Sequence, residues 1–573
     1  MSEKNTITPT QRFWKLLKPD QRDITNVYVY SIFNGLVSLS LPLGIQAIVN
    51  LIQGGQLSTS WVILVSIVVL GIAASGILQI FQLRITENLQ QKIFTRAAFE
   101  FAYRVPRIKM EQLRTRHAPE LMNRFFDTVS VQKGLSKILI DFTAAALQVT
   151  FGLLLLSFYH PFFILFSAIL IVLVYFIFRL TARKGLTTSL EESKHKYLIA
   201  HWLEELARTS VSFRLAGKTE LPLHKTDAHL QNYLAARESH FKILMQQYGM
   251  MVAFKVLVAT GLLAIGGVLV MEQIMNIGQF VAAEIIILLV INSVEKLVRS
   301  LETIYDVLTA LEKIGQVTDL ELEDHKGIDL LSKCTNNGLD VSLNEVNFGY
   351  PENKKLTLEG ISFNLKTGES LVITGSGSAG KSTLIRLIAG LHHASEGSIS
   401  FNGFATGNIE TNSLRSVIGE CLHSDELFRG SILENITLGR PQASFENVQW
   451  AIKSVGLSDF IRDQDEGFNT QIDPSGKRLP GRTAQRLLLA RAIADKPKLL
   501  LLENPFELLA GDPHLIDFFT DKSHGWTMIS VSSNNYLASK SDRVMLLKEG
   551  KIVQVGSYQE MKSHLTPNSE NNA

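Results

Sequence analysis

The chain has 573 residues, of which 46% are hydrophobic and 19% charged, and its formal net charge is +2. No dense basic stripe occurs apart from stretches flanking apolar runs, which argues against a nucleic-acid partner. Its two cysteines, Cys334 and Cys421, have no CxxC spacing, so neither a disulfide framework nor a structural zinc site is expected. The apolar residues are unevenly spread. No Asp, Glu, Lys or Arg occurs from residue 24 to 83, nor from 142 to 178, whereas the part beyond about 320 has an ordinary soluble mixture. The N-terminal run MSEKNTITPTQRFWKLLKPDQRD is polar and the first apolar run is too long for a signal h-region, so no cleavable leader is expected.

A helix crossing a bilayer needs about 20 mostly apolar residues. Six stretches qualify, at roughly 25–51, 59–83, 138–158, 161–181, 249–271 and 278–298. The expected outer connections, LIQGGQLSTS, YHP and MEQIMNIG, contain no Lys or Arg. The inner ones are rich in them: Lys15, Lys18 and Arg22, then Arg84, Lys92, Arg96, Arg104, Arg107, Lys109, Arg114, Arg116 and Arg124, then Arg179, Arg183, Lys184, Lys194 and Lys196. This asymmetry places both termini in the cytoplasm. The inner segments, about 84–137 and 182–248, carry amphipathic helical patterns (APELMNRFFDTVSVQKGLSKIL, EELARTSVSFRL). Spans two to five are therefore expected to continue as helices beyond the membrane, joined by short cross-pieces. Lys255 and Glu284 interrupt spans five and six and are functional candidates on grounds of cost. Lys255 can also snorkel to the interface. Their depths come from opposite sides of the membrane, which leaves a direct pair open, and Glu284 is expected to face a central cavity. Asp141, near the inner end of span three, needs no special explanation.

Gly375-Ser376-Gly377-Ser378-Ala379-Gly380-Lys381-Ser382 matches GxxxxGK[ST]. It follows an apolar strand pattern (ESLVIT) and opens an apolar-periodic helix (STLIRLIAGL), the setting a phosphate-binding loop requires. Glycines allow successive backbone N–H groups to wrap phosphate oxygens, and the helix N-terminus adds its positive dipole end. Lys381 reaches the β- and γ-phosphates, Ser382 offers a hydroxyl to Mg²⁺, and Thr383 completes the binding segment.

Around this loop the chain resembles the ABC exporter family over nearly its whole length. The resemblance rests on a six-span region followed by one ATP-binding domain, on Phe348-Gly349-Tyr350-Pro351 ahead of the loop, and on three later segments: LRSVIGECLHSDELFRGSILENITLG, LPGRTAQRLLLARAIADKPKLLLLENP and DRVMLLKEGKIVQVGS. The last span, MNIGQFVAAEIIILLVINSVEKL, is also similar. Within the family the chain resembles bacterial type I secretion and peptide exporters, and the leading peptidase domain some of them carry is not expected here. The resemblance implies an α-helical membrane domain with long cytosolic extensions and an α/β P-loop domain. The expected boundaries are a cytosolic segment at 1–23, the membrane domain at 24–315, a linker at 316–337, the ATP-binding domain at 338–563 and a disordered tail at 564–573. It further implies that Tyr350 stacks on adenine.

The family's catalytic residues are where this sequence departs. The glutamine that senses Mg²⁺ and γ-phosphate is His423. The LSGGQ signature reads LPGRT, so Pro480 removes a hydroxyl and a backbone donor, and Arg482 brings a side chain to where backbone must meet phosphate. Glu503 replaces the Mg²⁺-binding aspartate, and Asn504 stands where the catalytic glutamate belongs. An amide cannot take a proton from water. The D-loop aspartate position reads Ala510 and the switch histidine position Ser533. The expectation is an exporter-like subunit that binds ATP and Mg²⁺ (through Ser382 and Glu503) but hydrolyses ATP poorly. It would sit in the bacterial inner membrane as a homodimer or as the degenerate half of a heterodimer, with lipids and periplasmic adaptor proteins as further partners. Two alternatives stay open: a pseudo-ATPase scaffold or ATP-gated channel, and an active exporter in which Glu503 serves as both metal ligand and base.

Overall fold

A computed structural model of the chain describes residues 7–53, 59–113, 118–323, 325–334, 337–353, 355–423, 426–509 and 512–565. Residues 1–6, part of the first outer connection (54–58), Arg114, Arg116, Ala510 and residues 566–573 of the expected tail lie outside the described residues. The chain divides into two compact units, one of Met1–Ile108 with Gln112–Glu321 and one of Lys109–Glu111 with Leu322–Ala573.

The first unit is all helical. Its elements are α1 (Pro9–Leu17), α2 (Gln21–Ser38), α3 (Ser40–Gln53), α4 (Thr59–Arg104), α5 (Met110–Leu113, whose first two residues fall to the other unit), α6 (Ala118–Met122), α7 (Asp127–Lys137), α8 (Thr143–Ser157), α9 (Pro161–Arg208), α10 (Ser210–Leu215), α11 (Leu221–Met271) and α12 (Ile277–Thr318). Among the described residues six helical stretches are long and apolar enough to cross a membrane, and the chain is a multi-pass membrane protein. Helix α11, with 51 residues, is about 75 Å long at 1.5 Å per residue, far beyond a hydrocarbon core of about 30 Å. Span one, expected as one helix, is two, broken at Leu39. Pro42 has no N–H to offer the Ser38 carbonyl, and the Ser38 hydroxyl bonds back to the Gly35 carbonyl at 2.7 Å. Span three opens on a π-turn at Ile138–Phe142 before α8 begins.

The helices pack along periodic apolar stripes. Phe254, Val258 and Leu262 of α11 meet Phe163, Phe166 and Leu170 of α9, and Ile286, Val290 and Val294 of α12 join the same core. Small residues bring backbones close. A Cβ on Gly185 would stand 2.4 Å from the Tyr305 ring. The Tyr305 hydroxyl in turn accepts from Gln247 at 2.8 Å. Lys255 does not meet Glu284. It pairs across α11 and α12 with Glu295, which also takes Arg299 at 2.5 Å.

The second unit is α/β. Its strands are β1 (Val341–Phe348), β2 (Leu358–Leu365), β3 (Ser370–Thr374), β4 (Glu396–Phe401), β5 (Phe404–Ala405), β6 (Ile418–Cys421), β7 (Gly430–Ser431), β8 (Gln471–Ile472), β9 (Leu499–Glu503), β10 (Thr527–Val531), β11 (Arg543–Lys548) and β12 (Lys551–Gly556). The main sheet runs β12-β11-β3-β10-β9-β6, parallel except for the β11–β12 hairpin, and β2-β1-β4-β5 form an antiparallel sheet. Strands β9 and β10 are buried on both faces, as the unbroken run LLLLE requires of a central parallel strand. The C-terminal helix Tyr558–Leu565 runs two residues into the segment expected as a tail.

Candidate functional site: the phosphate-binding loop and its neighbours

The loop lies where β3 ends and the helix Lys381–Ile388 begins, the strand-loop-helix order the motif predicted. Two of its glycines are required by geometry. Gly375 has φ +143°, and a Cβ there would lie 2.1 Å from the Leu547 carbonyl oxygen. Gly380 has φ +96°, with Thr357 O 3.0 Å from where a Cβ would stand. Ser376, Gly377 and Ser378 are exposed at the loop crown, while Ala379 is buried beneath it. The Lys381 ammonium folds back to donate to the carbonyls of Gly375 and Ser376, both at 2.7 Å. Burial holds its pKa below the ordinary lysine value, against the opposing pull of the Glu503 carboxylate.

Glu503, at the end of β9, is only 6% exposed, and both its oxygens are engaged. One accepts from the Ser382 hydroxyl and the other from the His423 backbone N–H at 3.2 Å. The sequence therefore placed Ser382, Glu503 and His423 in one site, and the fold brings them together across β3, β9 and the segment after β6. A hydroxyl and a carboxylate are hard oxygen donors of the kind Mg²⁺ takes, so this pair fits the cation. Among the described residues no group of three His, Cys, Asp or Glu could hold a metal, so a cation here would rely on nucleotide oxygens for its remaining bonds.

Tyr350 is half-buried, edge-on to Phe348 at 4.8 Å and to His392 at 5.7 Å between ring centres. Its hydroxyl lies 3.1 Å from Thr383 Oγ1, which ties the aromatic to the helix that begins the phosphate site. His392 was not singled out in the sequence. It is separated from Phe348 and Tyr350 by β2, β3, the phosphate loop and the helix Lys381–Ile388, and nothing local announces their meeting.

Asn504 follows Glu503 with φ +49°, a left-handed conformation that asparagine tolerates better than most residues. Its N–H donates to the Val531 carbonyl at 2.8 Å, which fixes its backbone between β9 and β10. Ser533 is exposed just beyond β10. Pro480 caps the helix Gly481–Ile493, and its carbonyl accepts from Thr483 and Ala484 at 2.8 and 3.0 Å. Gly481 and Arg482 are exposed at that helix start. One end of the site thus gathers a lysine, a hydroxyl and a carboxylate, and the position beside Glu503 offers an amide.

Comparison with known proteins gives two matches in the same order along the chain: the ABC transporter transmembrane region over residues 24–294 and the ABC transporter domain over residues 358–507. The chain belongs to the ABC transporter family, in its exporter arrangement. It is similar to the alpha-hemolysin translocation ATP-binding protein HlyB of Escherichia coli, 29% identical over 301 residues covering 52% of this chain and 42% of that protein. It is also similar to the leukotoxin translocation ATP-binding protein LktB of Mannheimia glucosida, 29% identical over 299 residues, with the same coverage of 52% and 42%. The ABC exporter chain thus spans less than half the length of these toxin-translocating relatives. An uncharacterized ABC transporter ATP-binding protein of Bacillus subtilis, YknV, is 26% identical over 468 residues, 78% of this chain and 76% of its own length. Among solved structures, a bacterial Atm1-family ABC exporter with ATP bound superposes with a TM-score of 0.83 at 18% identity, covering 95% of this chain and 97% of that one. That likeness establishes the fold.

Proposed function

We propose that this ABC exporter chain is a half-transporter that binds ATP with Mg²⁺ and hydrolyses it slowly or not at all. Asn504 carries the reading. It sits beside Glu503, at the end of β9, where an ABC ATPase needs a carboxylate to take the proton of the attacking water. Pro480 and Arg482 add to it, since a proline and a long cation at a helix start offer phosphate a poorer cradle than a serine and a glycine. Glu503 is a poor substitute base, because its two oxygens already accept from Ser382 and the His423 N–H. Mg²⁺, when bound, supplies charge neutralisation to the phosphates. Ser382 and Glu503 are the residues that would hold it, Lys381 holds a positive charge over the loop, and Tyr350 walls the side where a base would stack.

ABC exporters work as dimers, so this half pairs with a second copy or with an intact paralogue. The Lys and Arg of the inner connections support cytoplasmic termini, and the bacterial exporter relatives support an inner-membrane location. We assign residues 24–315 to the membrane domain, 316–337 to a linker and 338–563 to the ATP-binding domain. Export or secretion is the role, with periplasmic adaptors as further partners. The test is ATP binding and phosphate release measured side by side in lipid discs, with Lys381→Ala as control. Binding that the control loses, with turnover at the control's level, supports the proposal. Magnesium-dependent turnover well above that level sinks it.

A further inference from the structure

Helix α1 closes over a cavity of about 280 Å³ in the first unit. A capping box of Thr8 and Gln11 starts the helix, Leu17 is buried with Ile24, Leu89 and Ile93, and Trp14 on the other face is 67% exposed. Such a short amphipathic helix with an outward tryptophan suits a membrane interface. The cavity's depth agrees. Lys92 and Arg96 beside it pair with Asp23 and Asp20, which immediately precede the charge-free run beginning at residue 24.

The charges around the cavity nearly cancel. Arg12 is clamped by Glu312 and Asp319, and its guanidinium lies 2.4 Å from where a Cβ on Gly315 would be, so a glycine in α12 makes room for it. Arg96 pairs with Asp20, and Arg104 with Glu100. Three groups are left over, and all can donate. Lys15 is exposed on the rim with no ion pair among the described residues. Among the described residues Arg12 Nε and Thr128 Oγ1 have no hydrogen-bond partner; both atoms are buried, and Thr128, 1% exposed, lines the cavity. A buried polar group with no partner is costly, so an oxygen acceptor is the complement these three call for. The remaining wall is apolar, formed by Leu16, Ile93, Phe101, Val131, Leu311 and Ile314.

We propose that this cavity holds a glycerophospholipid, with its phosphate on Lys15, Arg12 and Thr128 and one acyl chain along the apolar wall. A free phosphate would leave that wall unused, and a neutral apolar molecule would leave the three donors unpaired. The volume lies just below the range of about 300–1,000 Å³ typical of whole small-molecule sites, so the cavity takes the phosphate and the start of a chain while the rest stays in the bilayer.

The test uses the full chain, purified in detergent and titrated with phosphatidylglycerol, with bound lipid counted by native mass spectrometry and thermal unfolding followed in parallel. Wild type retains one lipid per chain and is stabilised by it. Thr128→Val with Lys15→Gln weakens retention about tenfold or more, as expected for lost charge-assisted hydrogen bonds. Ala97→Leu fills the cavity and displaces the lipid while keeping the fold, which separates loss of the site from misfolding. Neither diacylglycerol, which lacks the phosphate, nor inorganic phosphate, which lacks chains, competes. The proposal is overturned if the double variant retains lipid like wild type, if Ala97→Leu leaves retention unchanged, or if either competitor displaces the lipid.

Discussion

On the proposed function, replacing Asn504 by Glu supplies a carboxylate at the general-base position, and its consequences can be worked out in both directions. The backbone at 504 has φ +49°, so a residue less tolerant of the left-handed region costs about 1–2 kcal/mol. The N–H bond to Val531 is backbone and survives. On the kinetic side, a positioned general base contributes about 10²–10⁴ in rate, or roughly 3–5 kcal/mol of barrier at about 1.4 kcal/mol per decade. Parts that act as a unit do not add, and Pro480 and Arg482 still mark the signature helix. The expected result is that Asn504→Glu alone stays within about tenfold of wild type, while Asn504→Glu with Pro480→Ser and Arg482→Gly rises by about 10²–10⁴. The assay is continuous phosphate release in lipid discs, background-corrected with Lys381→Ala, with melting of the ATP-binding unit recorded to confirm the small loss at 504. If the triple variant is no faster than wild type, although it binds ATP and melts normally, the base and signature are not what limits this chain and the reasoning fails.

Other outcomes follow from the same geometry. Ser382→Ala leaves one oxygen of buried Glu503 without its donor, which should cost about 1–3 kcal/mol of stability by denaturant titration, while Ser382→Thr should retain most of it. In the membrane unit, Lys255→Met strands Glu295 beside Arg299 and should cost about 1–3 kcal/mol, and adding Glu295→Gln should recover part of it in a double-mutant cycle. Strict additivity there would count against the pairing. Lys381 has a depressed pKa, so the unfolded chain binds more protons than the folded one between that value and 10.5. Stability without nucleotide should therefore rise with pH through that window, and nucleotide affinity should fall through it as the lysine loses its charge. Lys381→Met should flatten both trends in a paired melting and binding titration.

What could be read from the sequence was whatever leaves a local mark. Charge-free runs announced the spans, and the glycines at 375 and 380 announced a loop whose tight approaches to Leu547 and Thr357 only glycine permits. The strand-and-helix setting then fixed Lys381 and Ser382. Features that depend on which side of a helix faces which neighbour left no such mark. Lys255 was visible as a costly residue, but its partner Glu295 lies forty residues on, past a turn, and length and hydropathy do not set the rotation of a span. The break at Leu39 did leave a mark, Pro42, which a reading of apolar length alone passes over. The meeting of Tyr350 with His392 and Thr383 depends on how β1 and the loop after the phosphate-site helix fold onto one another, which no window of a few residues contains.

Helix α11 spans 51 residues, and its only proline, Pro222, sits in the first turn, where it does no harm. Such a rod of about 75 Å behaves as a lever more than as a membrane anchor. A tilt of about 5° about its middle would carry each end roughly 3 Å, about half the 5.4 Å pitch of a helix. At Phe254 and Val258, roughly 12 and 18 Å from the middle, the same tilt moves the backbone by about 1–1.5 Å, and a close-packed seam with α9 has no voids to take that up. Any tilt of α11 must therefore take α9 with it, and the two helices move as one beam.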